Sequence, residues 1–219
     1  MNRIEISRIY KSKMNRFYIQ KCNESSDINQ HLPTLYRYAK ECTHITECGV
    51  RGICSSYAFG HALEGRIGTS LIQIDPVSSP LQSEFSKLCG SCGIRNVFYE
   101  QSDLECPIED TELLFIDTWH VYGQIKRELA KYSAVCSKYI IMHDTTVDEI
   151  DGETVRQYGY NYQHAYSVAT EMAAQTGIPR EEILKGMWWG IQEFLAANPE
   201  WYIKDRYFNN NGLMVLARR

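Results

Sequence analysis

The chain has 219 residues, 23 Lys and Arg against 27 Asp and Glu, and a formal net charge of −4. That length suits one domain, 1–219, with an appended arm, and 44% hydrophobic against 23% charged residues excludes a disordered chain. The mild acidity argues against a nucleic-acid partner, no apolar run nears the roughly 20 residues of a membrane span, and MNRIEISRIYKSKMNRF lacks the apolar stretch of a secretory signal.

In chain order, residues 1–31 read as an N-terminal arm, followed by a helix predicted over Pro33–Cys42. Thr43–Cys48 (THITEC) is a short strand ending at Gly49, Ser55–Leu63 a helix, and Ser70–Asp75 (SLIQID) a second strand. Pro80–Cys89 has helical periodicity through Leu81, Phe85 and Leu88. Arg95–Tyr99 and Glu112–Asp117 are the third and fourth strands, Val121–Val135 is helical, and Lys138–His143 is the fifth strand. Continuous apolar strands separated by helices predict βαβ units and a parallel sheet with helices on both faces.

After Asp144 the rhythm changes. Residues 145–186 form a variable, acceptor-side region that is polar and rich in Tyr, Gly and Asn up to 163, then helical at 164–176. A further helix over 180–197 opens after Pro179, a residue favoured at helix starts. Trp201–Phe208 and Leu213–Ala217 flank Asn209-Asn210-Asn211-Gly212, and an Asn-Gly turn between apolar runs predicts a hairpin. The expected fold is therefore α/β and Rossmann-like, with a mostly parallel seven-stranded sheet ending in an antiparallel hairpin.

The eight cysteines (22, 42, 48, 54, 89, 92, 106 and 136) fall mostly in apolar segments, where a free thiol packs as a small hydrophobe. A reducing, cytoplasmic setting is the simpler expectation. Cys89-Gly-Ser-Cys92 is a lone CxxC, short of the four ligands a zinc site needs.

Ligands of open α/β sheets bind outside the carboxyl ends of the strands. The first such end reads Glu47-Cys48-Gly49-Val50-Arg51-Gly52-Ile53-Cys54-Ser55-Ser56. Gly49 and Gly52 let backbone approach a ligand, and Asp75, 26 residues after Gly49, ends the second strand where a carboxylate can accept from two ribose hydroxyls. Arg51 occupies the middle position of a GxGxxG fingerprint and no Gly-Lys-Ser/Thr follows, so neither a dinucleotide fingerprint nor a P-loop is present. A nucleoside cofactor without pyrophosphate fits, and S-adenosylmethionine is the candidate.

Glu47–Ser56 resembles the ExGVxxGxS(T/S) loop of class I S-adenosylmethionine-dependent methyltransferases, most closely a small group of cephalosporin hydroxylase-like and rhamnosyl O-methyltransferase-like proteins. Ile74-Asp75-Pro76, Phe115-Ile116-Asp117-Thr118-Trp119-His120-Val121-Tyr122, Met142-His143-Asp144-Thr145, Trp189–Leu195, Asn198–Trp201 and Asn210–Leu213 resemble the group's later motifs. The similarity spans about residues 32–219, with 146–186 poorly matched. It implies that Glu47, Gly49 and Ser55 contact the methionine part, that Asp75 holds the ribose, and that Ser102 and Asp103 lie beside the adenine.

Two further strand ends carry Asp117 with His120 and His143 with Asp144. Neighbouring parallel strands would bring these four side chains together, with Asp117 also within reach of the cofactor. Asp117, His143 and Asp144 are candidate ligands for Mg²⁺ or Mn²⁺, with Thr145 an alternative to His143. A cation there would stabilise the alkoxide of an acceptor hydroxyl. Asp117-x-x-His120 is also similar to the metal-dependent catechol O-methyltransferases, which makes His120 the candidate general base and Asp144 its catalytic partner. Capping of the following helices is the plain alternative for both acids.

These expectations describe an O-methyltransferase acting on a sugar hydroxyl of a glycan or glycolipid. The alternatives are a phenolic or macrolide-type acceptor, or an accessory module that binds the cofactor without catalysis. Self-association is left open. Tyr158, Tyr160 and Tyr162 read equally as an acceptor wall or a surface loop, and Trp201 as core.

Overall fold

The computed structural model describes residues 12–219, so the start of the predicted arm, 1–11, lies outside the described residues. The seven strands run in the order β3-β2-β1-β4-β5-β7-β6. By contacts the chain divides into two units, Met1–Ile116 and Asp117–Arg219.

The first unit opens with α1 (Lys13–Asn23) and α2 (Leu32–Ala39), which pack on each other and on α3 (Cys54–Leu63). Its strands are β1 (His44–Cys48), β2 (Ser70–Ile74), β3 (Arg95–Tyr99) and β4 (Thr111–Ile116), with α4 (Gln82–Ser91) before β3. All the pairings are parallel: β1 lies between β2 and β4, with Ile45 opposite both Leu71 and Leu113, and β2 also pairs β3. Every residue of β2 is buried, the continuous pattern of a strand covered on both faces. Order 3-2-1-4 puts the reversal of winding between β1 and β4, the switch point where α/β sheets hold ligands.

The second unit contains α5 (Tyr122–Tyr132), β5 (Cys136–His143), α6 (Glu153–Gln157), α7 (Tyr162–Thr176), α8 (Arg180–Leu184), α9 (Met187–Ala197), β6 (Trp201–Tyr207) and β7 (Leu213–Arg218). β7 pairs antiparallel with both β5 and β6, and a bulge falls between Ile203 and Asp205. The Asn-Gly hairpin is present, with Asn210, Asn211 and Gly212 all at positive φ. Trp201 is buried, and α5 packs on α9.

Within the polar segment 145–163 the short helix α6 forms. One expectation changes. The helix expected over 180–197 is broken at Lys185–Gly186, because the backbone there bonds elsewhere. Tyr122 N–H donates to the Lys185 carbonyl, Gly152 N–H to Leu184, and Gly186 N–H to Ile150. A Cβ on Gly186 would lie 2.5 Å from the carbonyl oxygens of Asp148 and Glu149, so only glycine lets these backbones approach. Among the described residues no helix is long and apolar enough to cross a membrane.

Candidate active site

In the first unit the loop after β1 is held in uncommon backbone geometry. Gly49 has φ +85°, which suits glycine, but Arg51 (+34°) and Ile53 (+58°) are also at positive φ, where a side chain costs about 1 kcal/mol or more. Asp75 clamps this loop. Its Oδ2 accepts from the N–H groups of Val50 (2.8 Å) and Arg51 (3.1 Å), and its Oδ1 from Val77 (2.9 Å). The Arg51 guanidinium pairs with Asp27 at 2.6 Å. Around Gly52, nothing lies within 4 Å of where a Cβ would be.

Glu47 and Ser55, implied cofactor contacts, lie beneath the loop and bond to each other. The Glu47 carboxylate is wholly buried and accepts from Ser55 (2.5 Å), Ser56 (2.7 Å) and Gln73 (2.8 Å). Gln73 and Gln82 extend this buried polar set towards Ser86 and Asn96. The group therefore fixes the start of α3 against β1 and β2. Cys54, the first residue of α3, is a half-buried free thiol whose pKa burial pushes up. After β3, Ser102 accepts from the Leu104 N–H at 3.3 Å, and Asp103 is buried.

In the second unit Asp117, His120, His143 and Asp144 come together. His120 Nε2 lies 3.2 Å from Asp117 Oδ1, His143 Nδ1 lies 3.3 Å from the same oxygen, and His120 Nδ1 lies 3.0 Å from Asp144 Oδ2. One ligand atom from each of Asp117, His120 and Asp144 falls within 4.8 Å of the others. Asp144 sits at φ +56° directly after β5, a left-handed turn that Asp tolerates better than most residues. His143 Nε2 lies 3.1 Å from the Asn210 carbonyl of the hairpin, which fixes that ring.

Opposing effects set the charges here. Burial alone would push the Asp117 carboxyl up, but hydrogen bonds from His120 and His143 hold it below the usual carboxylate range. Burial would lower both imidazoles, yet the surrounding carboxylates win: His120 is raised well above its ordinary value, and His143 is raised too. At this site His120 Nδ1, Asp144 Oδ1 and Thr145 Oγ1 are buried without a hydrogen-bond partner.

Two acids absent from the sequence reading, Asp148 and Glu153, face His120, and a third such residue, Arg156, pairs with them. Asp148, wholly buried, lies 3.5 Å from Nδ1 and takes a two-point ion pair from Arg156 at 2.6 and 2.8 Å. Glu153 Oε2 lies 3.4 Å from Nδ1 and accepts the His120 backbone N–H at 3.2 Å. All three sit in the poorly matched region, where no strand end or motif marks them. Tyr158, Tyr160, Tyr162 and Tyr166 are exposed; Tyr158 packs on His164, and the Arg180 guanidinium lies 3.9 Å from the Tyr166 ring centre.

No protein-family model and no curated protein matches the chain. Solved structures do. The methyltransferase PaMTH1 of Podospora anserina, bound to S-adenosylhomocysteine, is 11% identical, with a TM-score of 0.56 over 99% of this chain and 94% of that one. An O-methyltransferase of Bacillus cereus, also with S-adenosylhomocysteine, is 12% identical with a TM-score of 0.55, covering 95% of this chain and 91% of that one. TomG of Streptomyces achromogenes, an O-methyltransferase of tomaymycin synthesis bound to S-adenosylmethionine, is 12% identical with a TM-score of 0.53, covering 89% and 81%. With the strand order, this decides the fold. The chain has the class I methyltransferase fold. In a methyltransferase fold so wound, the loops after β1 and β2 carry Gly49 and Asp75, and those after β4 and β5 carry Asp117 and Asp144.

Proposed function

We propose that this chain is an O-methyltransferase that moves the methyl group of S-adenosylmethionine to a sugar hydroxyl with the help of Mg²⁺ or Mn²⁺. The observation that carries the reading is the meeting of Asp117, His120 and Asp144 at two strand ends of this fold. The residues present fit a hard cation. Carboxylate oxygens dominate, and Asp144 Oδ1 and Thr145 Oγ1 are buried with no hydrogen-bond partner. Asp117 and Asp144 would hold the ion, with His143 or Thr145 completing the set. When bound, it supplies positive charge that stabilises an alkoxide and opposes protonation of the nearby imidazoles.

The first unit's residues take the cofactor. Asp75 accepts from the ribose, Gly49 and Gly52 admit the methionine part, Ser102 and Asp103 border the adenine, and Glu47 with Ser55 supports the loop from below. When bound there, the cofactor would supply an electrophilic methyl group for the acceptor oxygen. His120 takes the hydroxyl proton. The exposed tyrosines at 158, 160, 162 and 166 offer ring faces on which a sugar stacks. The whole of 1–219 acts as one methyltransferase domain, and its free thiols suit a reducing cytoplasm.

The test is binding of S-adenosylhomocysteine by calorimetry, then transfer of labelled methyl to glycan acceptors with and without EDTA. Absence of binding would end the methyltransferase reading, and full turnover after EDTA would remove the cation from it. His120→Ala should lower kcat by roughly 10²–10⁴-fold with S-adenosylhomocysteine affinity kept. Near-parental kcat with only a raised KM would make His120 a binding residue.

A further inference from the structure

We propose that Arg51 and Asp27 read the amino-acid end of the cofactor, as an ion pair whose two members are taken over by the α-carboxylate and the α-ammonium of S-adenosylmethionine. The assignment rests on the reading of the loop after β1 as the cofactor site, and it adds to that site a residue between α1 and α2 that no motif marks. Arg51 stands in the bend of the loop at φ +34°, a conformation that glycine adopts without strain and a residue with a β-carbon does not. Strain of this kind gathers at ligand sites. The Arg51 N–H is fixed by Asp75 Oδ2 at 3.1 Å, while its side chain is 81% exposed and its guanidinium meets Asp27 at 2.6 Å.

The other member of the pair is held as firmly. Asn29 N–H donates to Ser26 Oγ at 3.0 Å, Ser26 N–H donates to Asn29 Oδ1 at 3.3 Å, and Asn29 Nδ2 donates to the Cys22 carbonyl at 3.2 Å. Ser26 is also hydrogen-bonded to the thiol of Cys54, the first residue of α3. A carboxylate and a guanidinium therefore stand together beside the start of α3, a helix that opens without a side-chain cap.

That set of charges matches a zwitterion. An exposed ion pair contributes little to stability, so parting it costs little. Exchanging it for the ammonium and carboxylate of one ligand leaves every charge paired. The guanidinium presents a planar fork to a carboxylate, and the uncapped N–H groups of α3 attract the same anion, which sets the direction of the exchange. Arg51 and α3 take the α-carboxylate, and Asp27, released by Arg51, accepts from the α-ammonium. A nucleoside that lacks the amino-acid end leaves the pair closed.

The experiment is calorimetry of the full chain with three ligands. They are S-adenosylhomocysteine, its decarboxylated analogue, which keeps the ammonium, and 5′-methylthioadenosine, which ends before the amino acid. The parent should bind S-adenosylhomocysteine more tightly than 5′-methylthioadenosine. Arg51→Ala should bind S-adenosylhomocysteine roughly 10–100-fold more weakly, yet bind the other two no more weakly than the parent does. Asp27→Asn should weaken S-adenosylhomocysteine and the decarboxylated analogue by factors in the same range and leave 5′-methylthioadenosine unchanged. Equal affinity of the parent for S-adenosylhomocysteine and 5′-methylthioadenosine would overturn the proposal without any variant. So would variants that keep the parent's affinity for S-adenosylhomocysteine, or a loss that extends equally to 5′-methylthioadenosine, which would make the pair a support of the loop. No binding of any ligand by the parent would remove the cofactor reading itself, an outcome distinct from binding with unchanged preference.

Discussion

Asp75 already accepts three backbone N–H groups, from Val50, Arg51 and Val77. A carboxylate has about four lone-pair sites, so holding a ribose and holding the loop draw on one group. Asp75→Ala should therefore weaken S-adenosylhomocysteine binding, each charge-assisted hydrogen bond contributing about 1.5–3 kcal/mol, and speed amide exchange at residues 50, 51 and 77. Unchanged calorimetric affinity would take Asp75 out of the nucleoside grip. The position of Asp75 was legible because a strand end followed by Pro76 marks it. Its clamp on the loop was not legible, since backbone donors carry no sequence signal. Glu47 illustrates the same gap: its place in the motif was readable, but its inward turn depends on Gln73 lying beside it on β2.

The elements that sequence periodicity reads best are those whose own side chains bury them. The five parallel strands were placed to within two residues, because each is a short, mostly apolar segment bounded by turns or helices. The helix pair α8 and α9 escaped the reading because tertiary hydrogen bonds at Lys185 and Gly186 override a pattern that remains helical. Helix α1 depends on a similar long-range tie. Ser12, which caps it, donates to Glu64 at the end of α3, and Cys92 and His61 reach the same carboxylate. Burial alone would raise the Glu64 pKa, but bonds from His61, Ser12 and Cys92 hold it below its ordinary value. A depressed carboxyl stabilises the folded state above its unfolded pKa and loses that contribution as pH falls through the folded one. Melting temperatures of Glu64→Gln should thus fall less between about pH 5 and about pH 2 than those of the parent. Equal slopes would show that Glu64 contributes nothing to acid sensitivity.

For the whole molecule, fold class was readable from the alternation of strands and helices, and the meeting of Asp117 with Asp144 from their places at strand ends. Asp148, Glu153 and Arg156 were not, because their partners are set by a helix inside a polar stretch without periodicity. A cation bound only by the folded state raises its stability by linkage. At about 100 times Kd the gain is about 2.7 kcal/mol, or about 5–10 °C for a chain of this size. Mn²⁺ should produce that shift in the parent and none in Asp117→Asn; equal shifts in both would place the ion elsewhere. The thiols give the molecule a built-in reporter. Cys42, Cys48, Cys89, Cys106 and Cys136 are buried, whereas Cys22, Cys54 and Cys92 are half-buried. A thiol-titrating dye should modify the second set slowly under native conditions and the first only as the fold opens, so one absorbance trace follows unfolding without any engineered label. Because Cys54 directly follows the strained turn after β1, its labelling rate alone should drop when S-adenosylhomocysteine is added, marking loop closure from inside the native sequence.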